Sequence, residues 1–415
     1  MKRPRTPAWK VNTAAFLFSQ IFSIFGSSIV QYTIIWHITL DTQSGLYAAV
    51  SILCNLLPMF VLMPFVGVWA DRYNRKWIIN LADGFTALVA LAVALLYSIG
   101  AGGNYILLGA LILRSFGSAV QSPCVNAMFP DFVPADQLTR VNGVYSTLYS
   151  ITQIAAPILA AALLTLLPLE GLFYIDVMTA GVAILILGLG LRLPKRERAA
   201  PEAGGGFARE IKEGFGYIGK TPFLRSMFTC MAVQFFLSTP VFYLMPLHVT
   251  RTYGETVWYL SGVEIALTAG MLAGGLLMAT WGGFKSKRVT MSWGGFIMAA
   301  VTLFTGVKSS IWLLLAAIAA FGIGNAMEST PMTVMIQEHS DERYMGRVFS
   351  VLSMLNTCML QLGMIVFGPL ADLVDIRWLL IACGAPQLLV AAALWRSRPL
   401  KELERKPKEE LPGHE

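Results

Sequence analysis

Gly67-Val68-Trp69-Ala70-Asp71-Arg72-Tyr73-Asn74-Arg75-Lys76 separates two long apolar runs, and the second run carries a further carboxylate at Asp83. A connection this short between segments of membrane length folds as a tight helical hairpin. Its charges are then held against the chain rather than trailing in water.

The rest of the chain repeats that pattern. Hydrophobic residues make up 56% of the 415, charged residues only 13%, and mean hydropathy is +0.63. A soluble chain so poor in charge could not cover its surface, so lipid must face much of it. Apolar windows of about 20 residues, each enough to cross a hydrocarbon core, recur throughout. Twelve are read, at 12–38, 46–70, 77–100, 104–124, 140–167, 171–191, 222–249, 258–281, 289–308, 310–336, 344–371 and 376–396. Nearly all of the 31 Lys and Arg then fall on one side, with only Arg251, Lys308 and Arg377 opposite. The positive-inside rule puts that rich side, and both termini, in the cytoplasm.

The expected fold is therefore all-α, a multi-pass protein of the inner, cytoplasmic cell membrane. The basic stretch at residues 1–11 precedes an apolar run too long for a cleaved leader, which reads as the first span. Positive-inside bias accounts for the net charge of +7 without a nucleic-acid partner. The five cysteines lie in apolar segments at no metal-binding spacing and read as reduced packing residues. No phosphate-binding loop, metal set or nucleophile elbow is present, which argues against an enzyme and against a bound metal or cofactor.

One long connection, 192–221, divides the spans into six and six: an N-terminal half at 1–191, a C-terminal half at 222–396 and a charged tail at 397–415. Within that linker Phe207, Ile211, Phe215 and Ile218 have the spacing of a short amphipathic helix on the cytoplasmic membrane surface. The halves echo each other. Ser122-Pro123 precedes Arg140-Val141 by the same distance, within one residue, that Thr330-Pro331 precedes Arg347-Val348. The basic turn at 285–288 matches that at 72–76, with Ala279 where the repeat would put Asp71. Two pseudo-symmetric six-helix halves are an architecture for alternating access.

The spacing G-x-x-x-D-R-x-x-R-K resembles the loop between the second and third helices of the major facilitator superfamily. The resemblance implies that Gly67, Asp71, Arg72, Arg75 and Lys76 form a conformational latch favouring the outward-facing state. Positive-inside anchoring explains the basic residues but not the carboxylate. Asn74 departs from the family's usual glycine. In the fifth span Gly143, Thr152, Ala156, Pro157 and Ala160 resemble the glycine-rich antiporter motif of the family's exporters, with several glycines replaced; ordinary small-residue packing gives the same pattern.

Ionisable groups at membrane depth are costly and by default functional. Asp83 on the third span and Arg114 on the fourth differ in depth by about 6 Å and are expected to pair, for structure or gating. Asp176 and Glu264 each lie near the outer face with no basic partner in their own helix. An unpaired carboxylate in a membrane cavity can load and release a proton, so both are candidates for proton coupling, with Arg114 and Asp83 beside them. Glu328, next to Thr330-Pro331, is a further candidate or else caps a helix end. A polar stripe of Gln20, Ser23, Ser27 and Gln31 on the first span, and of Gln234 and Ser238 beside Phe235, Phe242 and Tyr243 on the seventh, is expected to line a substrate cavity.

Over nearly its whole length the chain resembles the macrolide efflux branch of that superfamily. This is carried by the 67–76 loop, Leu113-Arg114-Ser115-Phe116-Gly117, Phe132 to Leu138, Ile175-Asp176-Val177, Gly270 to Gly275 and Gly346 to Ser350. It implies a secondary active exporter of hydrophobic or amphiphilic drugs, driven by the proton gradient and acting as a monomer in the bilayer. A lipid or lysolipid flippase or a siderophore or metabolite exporter would use the same architecture. A non-transporting receptor would have no use for a latch or buried carboxylates.

Overall fold

An apolar run in lipid has no water to satisfy its amides, so it closes them internally as helix. The computed structural model describes residues 8–72, 74–134, 137–190 and 207–404, and their side chains except at 8, 57, 59–60, 63–72, 122, 126–127, 139, 207–211 and 342–343. The helices are α1 (Ala8–Thr42), α2 (Gly45–Arg72), α3 (Arg75–Ser98), α4 (Asn104–Phe132), α5 (Leu138–Leu166) and α6 (Leu169–Gly190). After α7 (Phe207–Lys220) come α8 (Pro222–Thr239), a π turn (Pro240–Leu244), α9 (Met245–Tyr253), α10 (Val257–Trp281) and α11 (Lys287–Thr305). The chain continues through α12 (Ile311–His339), α13 (Glu342–Leu373), α14 (Ile376–Arg396) and α15 (Arg398–Leu403).

Each of the twelve apolar windows falls on helix. Ten segments among the described residues are long and apolar enough to cross a membrane. The other two windows fall on α2, whose described apolar stretch is Gly45–Leu56, and on the 19-residue α11. The seventh window is not one uninterrupted α-helix. Pro240 has no amide to donate, and the chain there widens into the π turn before α9 resumes.

Polar residues set the helix starts. Asn74, standing in place of glycine, accepts from the amide of Lys76 at 3.0 Å and caps α3. Ser286, Ser310 and Asp375 do the same for α11, α12 and α14.

Among the described residues the helices form two compact units, one holding those within 1–41 and 50–203 and the other those within 42–49 and 204–415. In the first, α3 packs against α4 and α6; in the second, α11 packs against α12 and α14, following the sequence repeat. Glycines allow these approaches. A methyl on Gly294 of α11 would lie 2.5 Å from the carbonyl oxygen of Gly324 on α12, and one on Gly322 would lie 2.5 Å from that of Leu267 on α10.

The second unit takes in 42–49 through Asp372 at the end of α13. Its carboxylate accepts from Ser44 Oγ (2.7 Å), from the amides of Gly45 (2.7 Å) and Leu46 (2.9 Å), and from Arg251 (2.8 Å). A carboxylate at the open amides of a helix start is well placed against the helix dipole.

The linker helix α7 lies on α13 and α8. Ile218 is buried against them, Tyr217 stacks on Tyr344 at 4.7 Å, and Glu213 pairs with Arg347 at 3.2 Å, while Phe215 faces outward. Of the tail, Leu400 and Leu403 join the same apolar cluster.

Candidate functional site

Of the latch residues, Gly67, Asp71 and Arg72 are helical at the end of α2, and their side chains lie outside those described. Arg75 donates to both oxygens of Asp131 at the end of α4 (3.3 and 3.2 Å). Lys76 Nζ donates to the carbonyl of Gly188 in the last turn of α6 at 2.8 Å, where a cation suits the helix dipole. The turn is thus bonded to two neighbouring helices. Asp131 was not singled out from sequence; its signal is a carboxylate just before the break at Phe132-Val133-Pro134.

The expected Asp83–Arg114 pair does not form. Asp83, 3% exposed, accepts through Oδ1 from Ser23 Oγ of α1 and from Gln121 Nε2 of α4, both at 2.7 Å. Gln121 also donates to Ser23 Oγ at 2.9 Å, and Asp83 Oδ2 is buried with no partner among the described residues. Arg114 instead forms a buried ion pair with Asp176 of α6, their side chains 7% and 2% exposed. Asp176 is therefore not the unpaired carboxylate expected.

Gly117 of α4 sits against Thr86 and Ala82 of α3, so close that a methyl would meet the Thr86 side chain. In an antiparallel hairpin that contact places Asp83 between the levels of Gln121 and Arg114, about 4–6 Å from each along the axis, so it is the partner available on the neighbouring helices, Ser23 for Asp83 and Asp176 for Arg114, that separates the two. Gly26 of α1 approaches the same pair, since a methyl there would lie 3.0 Å from Asp176 Oδ1. Gln121 was missed in the sequence, although it lies two turns from Arg114 in an otherwise apolar span.

The remaining first-span residues diverge. Gln20 is 1% exposed with both amide atoms unpartnered among the described residues, Ser27 is half-buried and Gln31 exposed. In α5, Thr152, Ala156, Pro157 and Ala160 are buried, whereas Gly143 is exposed with nothing within 4 Å of a methyl placed on it.

In the second unit Gln234 points its amide at Met298 Sδ (3.9 Å) and Ser238 accepts from Gln387 of α14 at 3.2 Å. Phe242 and Tyr243 lie in the π turn, half-buried, with Phe242 edge-on to Phe321 at 5.5 Å. Glu264 on α10 is half-buried and makes no hydrogen bond or ion pair among the described residues.

Glu328 does not cap a helix end. It lies well inside α12, 4% exposed, with Oε1 unpartnered among the described residues. It lines a cavity of about 360 Å³ within the second unit. Asn325 and Ser329 of α12 and Ser353, Asn356 and Thr357 of α13 supply the cavity's other polar groups. Met231 and Phe235 of α8, Met332, Phe349 and Leu352 form its apolar wall.

The sequence profile of the Major Facilitator Superfamily matches residues 16–359 and 258–414. The chain belongs to the major facilitator superfamily. It is similar to Macrolide efflux protein A of Streptococcus pyogenes, 28% identical over 378 residues, 90% of this chain and 93% of that protein. It is also similar to Multidrug efflux pump Tap of Mycolicibacterium fortuitum, 25% identical over 94% of this chain and 96% of that one. In fold it resembles a bacterial homologue of the human lysosomal transporter Spinster, solved inward-facing and unoccupied, with a TM-score of 0.66 over 97% of this chain and 99% of that one at 17% identity. The superfamily member described here is thus a multi-pass membrane transporter, with macrolide and multidrug efflux proteins among its relatives.

Proposed function

We propose that this transporter exports hydrophobic and amphiphilic, macrolide-like drugs across the cytoplasmic membrane in exchange for protons, by alternating access. One observation supports this most: Asp83 and Glu328 are buried carboxylates, each with an oxygen unpartnered among the described residues, while the basic residue expected to neutralise Asp83 is committed to Asp176. Burying an acidic oxygen without a donor is unfavourable unless a proton or a ligand satisfies it during the working cycle.

In this reading Asp83, Glu328 and the half-buried Glu264 are the proton carriers, and the Arg114–Asp176 pair holds the helices that present Asp83. The turn at Arg75 and Lys76, with Asp71, serves as the latch. The proton gradient supplies the energy, no cofactor is required, and one chain suffices.

The test uses proteoliposomes with an imposed pH gradient, following proton flux on addition of macrolides, cationic dyes or lysolipids. The expected result is drug-dependent proton movement, abolished in Asp83→Asn or Glu264→Gln with folding intact. Movement of a lysolipid but of no drug would replace the reading with lipid flipping, and full coupling in both variants would remove these carboxylates from the mechanism.

A further inference from the structure

We infer that the cavity around Glu328 is a binding site for an amphiphilic monocation, the apolar body seated on Met231, Phe235 and Phe349 and the positive charge beside the Glu328 carboxylate. The inference rests on the proposal that the chain exports amphiphiles, and it narrows the substrate class to cations.

Glu328 is the one ionisable group lining the cavity; every other lining residue described is neutral or apolar. Behind the carboxylate, Gly295 of α11 presents no side chain, and a methyl there would lie 3.6 Å from Oε1 and 3.1 Å from the Ala391 side chain. That wall supplies no donor, and Oε1 has none elsewhere among the described residues. No Lys, Arg or His lines the space, so the lining supplies no positive charge of its own and leaves that place to a ligand or a proton. A proton would satisfy the carboxylate, but it would leave a cavity of about 360 Å³, within the range of small-molecule sites, without an occupant.

The walls fit an organic cation better than a metal ion or an anion. Phe235 and Phe349 offer aromatic faces to a diffuse positive charge. Met231 and Met332 adapt to irregular apolar shapes. Asn356 and Ser353 can accept or donate to polar substituents, but only one carboxylate is present, too few for a cation such as Ca²⁺.

The test is equilibrium binding of tetraphenylphosphonium, a permanent cation, to the full-length protein in detergent or nanodiscs at one pH. Triphenylphosphine oxide serves as the uncharged counterpart. Wild type is expected to bind both, and Glu328→Gln to bind the cation at least about tenfold more weakly while the uncharged probe stays within about twofold. Retained binding of the uncharged probe also shows that the variant is folded. Ser353→Trp, which fills the cavity without altering its charge, is expected to weaken both probes. Asp375→Asn, outside the cavity, is expected to weaken neither.

Equal cation binding by wild type and Glu328→Gln would overturn the inference, as would no cation binding by wild type. The assay needs no gradient. Absence of proton flux with Glu328-dependent binding would therefore count against proton coupling and leave the cation site standing.

Discussion

Replacing Arg114 by methionine should expose how the first unit is held together. The Arg114–Asp176 pair lies among α3, α4, α6 and α1, with side chains only 7% and 2% exposed. Removing the guanidinium strands a buried carboxylate, a change that costs about 3–5 kcal/mol. For a unit of this size each kcal/mol shifts the melting temperature by about 2–4 °C, so Arg114→Met should melt roughly 6–20 °C lower. Asp176→Leu strands the guanidinium and should cost a similar amount. Combining the two removes both charges from the interior, and most of the loss should return, since a well-packed apolar pair of like volume is often no less stable.

Thermal unfolding in detergent, followed by tryptophan fluorescence, measures all four corners of this cycle. Single variants within about 1 kcal/mol of wild type would refute the pairing. So would a double variant as unstable as the sum of the singles.

Three further outcomes follow from local geometry. Gly294→Ala drives a methyl onto the Gly324 carbonyl and should cost about 1–3 kcal/mol, whereas Gly143→Ala, with open space around it, should be neutral or stabilise by up to about 1 kcal/mol; the same melting assay separates them. Asn74→Ala removes the α3 cap and should cost about 1 kcal/mol, Asn74→Gly only a few tenths, so a larger loss in the glycine variant would contradict the capping role. Arg377 and its own amide hold the Asp375 carboxyl down at about 2, against an ordinary value of 3.8. Its contribution is therefore present above about pH 4 and lost as pH falls toward 2, and because the pair is exposed and screened it should be small. Acid titration of stability should show wild type above Asp375→Asn by a constant margin over about pH 4 and the two converging as pH falls toward 2.

Much of the candidate site was visible along the chain as residue types. Asp83, Arg114, Asp176, Glu264 and Glu328 stand out because each interrupts an apolar run. The partners of Asp83 and Arg114 were not legible, since groups at similar depth pair according to helix rotation and to which neighbouring helix brings a partner, neither of which is written in a linear string. Asp131 and Gln121 drew no notice, one because it borders a loop and the other because a lone neutral amide in a membrane helix is ordinary. The cavity at Glu328 had no linear signature, as its walls come from α8, α12 and α13.

The sequence by itself determined the helices, the repeat and the family. Those properties are local or periodic, and lipid leaves an apolar run almost no alternative to helix. Tertiary structure decided which charge meets which. Partner choice depends on helix rotation and register, and these are set by close contacts such as Gly117 on Thr86 and Gly26 over Asp176. Such contacts join residues far apart in the chain, and a shift of one helical turn in any of them would exchange the partners.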